Sequence, residues 1–234
     1  MPGILQCGLR NFWLAQPFDG RNIEGDRHIE EDSMALLESK ILRQFEALER
    51  EGAAHDAAEA ERRRKRLNLE RPAAELLYLL MRSSGRRRVL EIGTSNGLST
   101  LWIQAALRST GGTLVTIDRE PFKLEEARRN LQAAGLLAGA TLLEGEATEV
   151  VRHLEGPFDA VFFDADRVSA PTQLAILLPR LAPDVLLVTD NVLSHPEEVA
   201  AYLAACDSLP EFVSTTVPVG KGLHVAHRCP RPPP

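Results

Sequence analysis

Residues 89–99 read VLEIGTSNGLS, in which an apolar strand pattern runs through a turn with two glycines into a helical pattern. After this stretch, short apolar runs alternate with helical patterns, which predicts β-α units and a parallel sheet. Near the end of the chain, Gly220-Lys221-Gly222 separates two further apolar runs and predicts an antiparallel hairpin. The predicted strands are 89–92, 113–118, 140–144, 158–164, 185–190, 212–217 and 223–228, and the predicted helices are 98–108, 121–134, 146–154, 171–180 and 196–206.

The first 88 residues have the spacing of apolar residues that predicts helices instead. Asp32 and Ser33 are good N-cap residues, and the apolar stripe that follows them predicts a surface or partner-facing helix reaching about residue 60. Pro72 suits the first turn of a second helix, predicted over 73–81. We therefore expect an N-terminal helical region over 1–88, a second domain over 89–229 and a disordered tail over 230–234. The stripe consists of Met34, Leu37, Ile41, Phe45 and Leu48.

Composition indicates a soluble globular chain, with 234 residues, a net charge of −6 and 44% hydrophobic residues. Residues 1–88 carry 16 Lys/Arg against 15 Asp/Glu, whereas residues 89–234 carry 11 against 18. The acidity of the second segment disfavours nucleic acid as a partner and favours a cationic ligand or a metal. The basic run 62–66 follows acidic residues and lacks interleaved aromatics, so it predicts only a solvated helix face.

The cysteines and the apolar runs indicate the cellular compartment of the protein. Cys7, Cys206 and Cys229 are odd in number and far apart, which disfavours a disulfide framework or a zinc site and indicates a reducing compartment. No apolar run approaches 18 residues, and Met1 to Arg10 lacks a basic leader with an apolar core. We therefore expect a cytoplasmic protein without a membrane segment.

Two familiar functions of a glycine turn fit residues 89–99 poorly. A dinucleotide fingerprint needs glycine where Ser95 and Leu98 stand, which disfavours hydride chemistry with NAD. GTSNG also matches the G-x-S-x-G of an α/β-hydrolase, and Asp190 and His224 follow in the order of its catalytic triad. A hydrolase elbow normally follows several strands, however, and the region before Val89 is helical in pattern, so a Ser95 hydrolase is a weaker alternative.

A third function is a loop that binds an adenosine cofactor. Gly93 and Gly97 let the backbone approach a ligand closely, and Glu91 at the strand end suits a cation. An acid should then end the second strand to bind ribose hydroxyls, and Asp118 does so in TLVTID. Asp118 could instead only cap the helix that follows.

Carboxylates also end the fourth and fifth strands of the β-α region. Asp164 closes FDAVFFD, and Asp190-Asn191 closes VLLVTDN. If these strands are neighbours, the three side chains converge outside the carboxyl edge of the sheet, where ligands bind. Two carboxylates and an amide oxygen suit Mg²⁺.

Residues 89–228 resemble class I S-adenosylmethionine (SAM)-dependent methyltransferases, specifically the cation-dependent catechol and caffeoyl-coenzyme-A O-methyltransferase group. The segments VLEIGTSNGLSTLWI, LVTIDRE, LEGEATEV, FDAVFFDADR and LLVTDNV carry the resemblance in this order. It implies a Rossmann-like doubly wound α/β fold with a seven-stranded sheet, mostly parallel, whose last strand is antiparallel. It also implies an acceptor that is a small hydroxylated aromatic, and N-terminal helices that cover the acceptor and form a homodimer.

The resemblance further implies roles for individual residues. One group binds SAM, with Glu91, Gly93 and Ser99 at the methionine end, Asp118 at the ribose and Ala147 beside the adenine. The second group holds a divalent cation, and Asp164 belongs to both. The cofactor group is Glu91, Gly93, Ser99, Asp118, Ala147 and Asp164, and the metal group is Asp164, Asp190 and Asn191.

One position departs from the family pattern. Three residues after Asp164 the family usually has a lysine that assists deprotonation, and this chain has Arg167. Arginine stays charged, so Arg167 can stabilise a phenolate but cannot accept its proton. Catalysis by Asp164 and Arg167 then needs the metal and water for deprotonation, and a SAM-binding protein with weak or no transferase activity is an alternative.

Overall fold

The computed structural model describes residues 39–229, which belong to one compact unit. The predictions for Cys7, for the N-cap at Asp32 and Ser33 and for the tail 230–234 lie outside these residues. The helices are α1 (Ser39–Ala58), α2 (Arg71–Ser83), α3 (Leu98–Leu107), α4 (Pro121–Ala134), α5 (Ala147–His153), α6 (Ala170–Leu177) and α7 (Pro196–Asp207). The strands are β1 (Arg88–Ile92), β2 (Thr113–Asp118), β3 (Ala140–Glu144), β4 (Phe158–Phe163), β5 (Leu181–Thr189), β6 (Phe212–Val217) and β7 (Leu223–Arg228).

The seven strands form one sheet in the order β3-β2-β1-β4-β5-β7-β6. Strands β1 to β5 pair in parallel, and β7 pairs antiparallel with both β5 and β6. The predicted fold is therefore confirmed, including the antiparallel last strand. Because β4 and β5 are neighbours, the carboxyl ends of these two strands open at the same edge.

Strand β5 begins earlier than the predicted residue 185. Leu181 already pairs with Phe158, and the register then jumps so that Leu186 pairs with Ala160. The extra residues of β5 form an irregularity that contains Pro183, which has no N–H to donate to the ladder. The apolar run that continues the strand after Pro183 was visible in the sequence, whereas this earlier pairing was not.

The apolar stripe of α1 is buried within its own chain. Ile41, Phe45 and Leu48 are at most 2% exposed, and the Phe45 ring stacks on Trp102 of α3 with centroids 3.9 Å apart. The described part of the stripe therefore packs on α3 and does not face a partner. The homodimer stays a prediction from the family resemblance.

The basic run 62–66 is not the helix face that the sequence predicted. Helix α1 ends at Ala58, and Arg62–Arg64 forms a single 3-10 turn. The Asp56 carboxylate accepts the backbone N–H groups of Arg66 at 2.7 Å and Leu67 at 2.8 Å, which turns the chain back. Leu67 takes a φ of 50°, and the segment then runs past the carboxyl edge of the sheet.

None of the helices within residues 39–229 is both long enough and apolar enough to cross a bilayer.

Candidate active site

A cavity of about 790 Å³ opens at the carboxyl edge of the sheet. The turn after β1, the ends of β2 and β4, the loop after β5 and the basic run 62–66 contribute to its wall. Two of the predicted site residues, Glu91 and Asp190, are buried behind the wall, at 0% and 4% exposure. The other predicted site residues line the cavity: Gly93, Ser99, Asp118, Ala147, Asp164, Arg167 and Asn191.

The glycine turn after β1 packs closely against two neighbouring segments of the chain. Gly93 has a φ of 111°, and a Cβ atom there would collide with the backbone carbonyl of Asp164. Gly97 has a φ of 87° at the N-cap of α3, and its Cβ would lie 2.9 Å from the Cβ of Ala127. Both positions therefore require glycine, and the turn presents bare backbone and the start of α3 to the cavity.

Glu91 is the centre of a buried hydroxyl cluster. Its carboxylate accepts hydrogen bonds from Ser99 Oγ, Thr100 Oγ1 and Thr116 Oγ1, each at 2.6 Å. Burial raises the Glu91 pKa to about 7, although these hydrogen bonds oppose the rise. Ser99 lines the cavity and Glu91 does not, so the Glu91 carboxylate holds Ser99 in place without reaching the cavity wall itself.

Asp118 ends β2 and joins two loops at the cavity wall. One carboxylate oxygen accepts the backbone N–H of Ser95 at 2.8 Å, and the other accepts that of Glu120 at 2.9 Å. The residue at the N-cap position of α4 is Glu120, so capping does not account for Asp118. The two backbone bonds fix the carboxylate and leave lone pairs for a further donor.

Asp164, Asp190 and Asn191 lie together, as the adjacent strand ends predicted. The Asn191 side-chain amide donates to Asp164 Oδ1 at 3.1 Å and to Asp190 Oδ2 at 2.8 Å. Burial and the Asp190 charge raise the pKa of Asp164 well above its ordinary value, and burial raises that of Asp190 to about 6. Asp190 Oδ1 is buried and has no hydrogen-bond partner within the described chain.

The possible metal ligands in this cluster are all hard oxygen atoms. Among residues 39–229 no group of three or more His, Cys, Asp or Glu side chains gathers around one point. The cluster reaches three side chains only because Asn191 joins the two aspartates, and its donors are carboxylate and amide oxygens of the kind that Mg²⁺ prefers.

Comparison with known proteins places this fold and cavity in a family. Residues 90–192 match the sequence profile of a methyltransferase domain family. A catechol O-methyltransferase of Mycobacterium tuberculosis is 38% identical over 167 residues, which cover 69% of this chain and 72% of the relative. The chain belongs to the class I SAM-dependent O-methyltransferases. A catechol O-methyltransferase of Niastella koreensis is 32% identical over 123 residues, and there the chain spans about half of the relative, 55%.

Solved structures agree with this assignment to the O-methyltransferases. The O-methyltransferase TomG of Streptomyces achromogenes, solved in complex with SAM, superposes with a TM-score of 0.68 at 26% identity and covers 86% of this chain and 94% of its own. An O-methyltransferase of Bacillus cereus in complex with SAH gives a TM-score of 0.71 at 24% identity, covers 86% of this chain and 96% of its own, and supports the fold alone.

The Ser95 hydrolase hypothesis is wrong for this O-methyltransferase. Ser95 Oγ donates to the backbone carbonyl of Arg66, and Asp190 is bonded to the Asn191 amide. His224 is 3% exposed and packs edge-on against Tyr202, with centroids 5.9 Å apart. The three residues in triad order along the sequence therefore have other partners in space.

Several charged residues of the cavity wall were not among the predicted site residues, and Glu198, Lys221 and Arg66 are three of them. Arg167 donates from both Nε and Nη2 to Glu198 Oε2, at 2.8 and 2.7 Å. Glu198 comes from the first turn of α7, and Lys221 comes from the turn between β6 and β7. Arg66 also reaches the wall and pairs with Glu126 at 2.6 Å. A lysine between two glycines was the one visible signal, and it was interpreted only as a hairpin turn.

Replacing Glu91 with glutamine should reduce the pH dependence of the enzyme's stability. The folded-state pKa of about 7 lies above the ordinary 4.5, so the folded protein holds a proton that the unfolded chain releases. The free energy of unfolding therefore falls as pH rises from about 4.5 to about 7. At pH 8 the variant should gain about 3 kcal/mol relative to wild type, and at pH 4.5 it should gain almost nothing.

Urea unfolding at pH 5 and pH 8 measures this difference. Glu144→Gln at the exposed end of β3 is the matched control and should behave like wild type. An equal loss of stability between the two pH values in Glu91→Gln and wild type would show that Glu91 does not carry the effect.

Proposed function

We propose that the enzyme transfers the methyl group of SAM to a hydroxyl of a small catechol-like aromatic, with the help of Mg²⁺. The observation that supports this most directly is the cluster of Asp164, Asp190 and Asn191, because Asp164 and Asn191 line the cavity beside the glycine turn and Asn191 joins both aspartates. The name of the M. tuberculosis relative agrees with a catechol acceptor.

The cavity has suitable groups for each part of SAM. The bare backbone at Gly93 and the start of α3 with Ser99 suit the methionine end, because unpaired N–H groups at a helix start attract a carboxylate. Asp118 would accept the ribose hydroxyls, and Ala147 at the start of α5 would lie beside the adenine. When bound, SAM supplies an electrophilic methyl group on a sulfonium.

The residues also fit a divalent cation. Asp190 Oδ1 is a buried acceptor that has no donor in the described chain, and the Asp164 carboxylate lies beside Asp190 at the cavity wall. Two carboxylates side by side repel each other unless one of them is protonated or a cation lies between them. A half-turn of the Asn191 amide would direct its oxygen toward both aspartates, and the two orientations of an amide are exchanged by a simple rotation. A bound cation would lower the pKa of a coordinated hydroxyl and hold a vicinal diol in place.

Arg167 would act on the acceptor by charge. Its guanidinium lines the cavity while Glu198 fixes its orientation. It would stabilise a phenolate as the oxygen attacks the methyl group, and positioning of both reactants supplies much of the remaining rate.

Calorimetric titration with SAM, with and without Mg²⁺, tests the cofactor, and methyl transfer with and without EDTA tests the metal. We expect SAM to bind in both conditions, and methyl transfer to catechol to fall at least about 100-fold in EDTA and to return with Mg²⁺. Full transfer in EDTA would remove the metal from the proposal. Failure to bind SAM, or transfer to amines and thiols but to no hydroxyl, would overturn the acceptor class.

A further inference from the structure

Lys221 lies on the cavity wall, at the tip of the hairpin between β6 and β7. Its backbone carbonyl accepts the N–H groups of Leu193 at 3.0 Å and Ser194 at 3.2 Å, and the Gly222 carbonyl accepts that of Val192 at 3.1 Å. The tip is thus fastened to the loop that directly follows Asn191. A Cβ at Gly222 would lie 2.5 Å from Leu193 Cγ, so the contact is close and requires glycine.

Lys221 shares the cavity wall with Asp164 and Asn191 of the acidic cluster, and its backbone is held to the loop that follows Asn191. Its positive charge lowers the pKa values of both Asp164 and Asp190 against the effect of burial. Its ion pair partner is Glu70 at the N-cap of α2, 3.8 Å away, and both side chains are more than 40% exposed. Such an exposed, long pair is weak, so the amine is available to a ligand in the cavity.

Arg167 differs from Lys221 in its exposure and in the strength of its ion pair. It is 13% exposed and makes two short hydrogen bonds to one Glu198 oxygen. A guanidinium also keeps its proton at any physiological pH, whereas an amine can release it. Of the two cations beside the cluster, only Lys221 can exchange a proton with an acceptor.

Other titratable groups also line the cavity. His195 lines it, and its Nδ1 lies 2.9 Å from Ser194 Oγ. Asp166 and Glu198 contribute negative charge from the loop after β4 and from α7. Lys123 is a second lysine on the wall, but it belongs to the first turn of α4, beyond Asp118 on the ribose side.

We propose that Lys221 is the general base that deprotonates the acceptor hydroxyl, in place of the lysine that Arg167 replaces. This inference rests on the proposed function. The neutral amine takes the hydroxyl proton, so the O–H bond breaks and an N–H bond forms. The oxygen then attacks the methyl carbon, the carbon–sulfur bond breaks with its electron pair going to sulfur, and Lys221 returns its proton to water.

Two substitutions separate the charge of Lys221 from its ability to accept a proton. Lys221→Met removes both, whereas Lys221→Arg keeps the charge and removes only the second. With catechol we expect kcat to fall about 100-fold in both variants, with the calorimetric Kd for SAM unchanged. The rise of kcat with pH that the amine produces should disappear in both. Lys40→Met, at an exposed position on α1, should match wild type.

An activated acceptor makes the test sharper. Above the pH at which 4-nitrocatechol ionises, no base is needed, so Lys221→Arg should lie within about threefold of wild type with this acceptor. The phenolate absorbance of nitrocatechol bound with SAH and Mg²⁺ gives an equilibrium readout. It should appear at lower pH in wild type than in Lys221→Met.

The outcomes separate this inference from the proposed function. If wild type methylates no hydroxyl, the proposed function fails. If wild type is active and Lys221→Arg retains full activity with catechol, or if His195→Gln removes the pH-dependent rise instead, Lys221 is not the base. Thermal melting of each variant shows whether it is folded, and the exposure of the Lys221 side chain leads us to expect unchanged melting.

Discussion

Replacing Asp164 with alanine is expected to lower kcat/KM for methyl transfer by at least about 1000-fold, or about 4 kcal/mol of transition-state stabilisation. Asp164 lines the cavity beside the glycine turn and shares the Asn191 amide with Asp190, so its loss removes one carboxylate of the proposed cation site. Mg²⁺ binding, measured by calorimetry, should be lost together with activity.

Stability gives an independent measure of the same change. The Asp164 and Asp190 carboxylates share one amide and repel each other, so alanine at Asp164 should not lower the melting temperature of the metal-free protein. Mg²⁺ should raise the melting temperature of wild type by linkage and leave that of the variant unchanged.

Asp184→Ala is the matched control for Asp164→Ala. Asp184 lies on β5 at the end remote from the cavity, its side chain is 59% exposed, and it pairs loosely with Arg86 at 3.6 Å. Its loss should change kcat/KM by no more than about twofold. An Asp164→Ala variant that still binds Mg²⁺ and methylates catechol would exclude this aspartate as a metal ligand.

Local sequence patterns predicted the β-α region well because each element there is determined by residues that are close together in the sequence. The alternation of apolar runs with amphipathic stretches defines the strands and helices, and turn glycines define where they end. Helix α4 ends at Ala134, its predicted last residue, and Gly135 follows it with a φ of 74°. Strand β5 and the run 62–66 deviate because their conformations depend on distant partners, Phe158 and Asp56.

The site was predictable to the extent that topology brings strand ends together. Asp118, Asp164 and Asn191 reach the cavity because they follow parallel strands at one edge of the sheet. Glu91 has the same kind of position, yet three hydroxyls from α3 and β2 enclose it, and no spacing in the sequence reveals this. Glu198 and Lys221 arrive from α7 and the terminal hairpin, whose placement depends on tertiary packing.

The largest structural effect should come from Gly93→Ala. The φ of 111° is unfavourable for any residue with a side chain, and the added methyl group would meet the Asp164 carbonyl oxygen and lie 2.8 Å from its carbonyl carbon. Those backbone atoms cannot move freely, because Asp164 N–H donates to the Ile92 carbonyl at 2.9 Å. We expect a loss of about 2–4 kcal/mol in the free energy of unfolding.

Gly111→Ala separates crowding from backbone strain in this prediction. Gly111 also has a positive φ, 65°, but a Cβ there would have no atom within 4 Å, so its alanine should cost only about 1 kcal/mol. SAM affinity, measured by calorimetry, should fall more than about 100-fold in Gly93→Ala and stay unchanged in Gly111→Ala. Equal losses of stability with equal SAM affinities would contradict the close packing of the glycine turn on Asp164. Since that packing joins the glycine turn, which we propose binds SAM, to the proposed metal ligand Asp164, a shift at either one should displace the other.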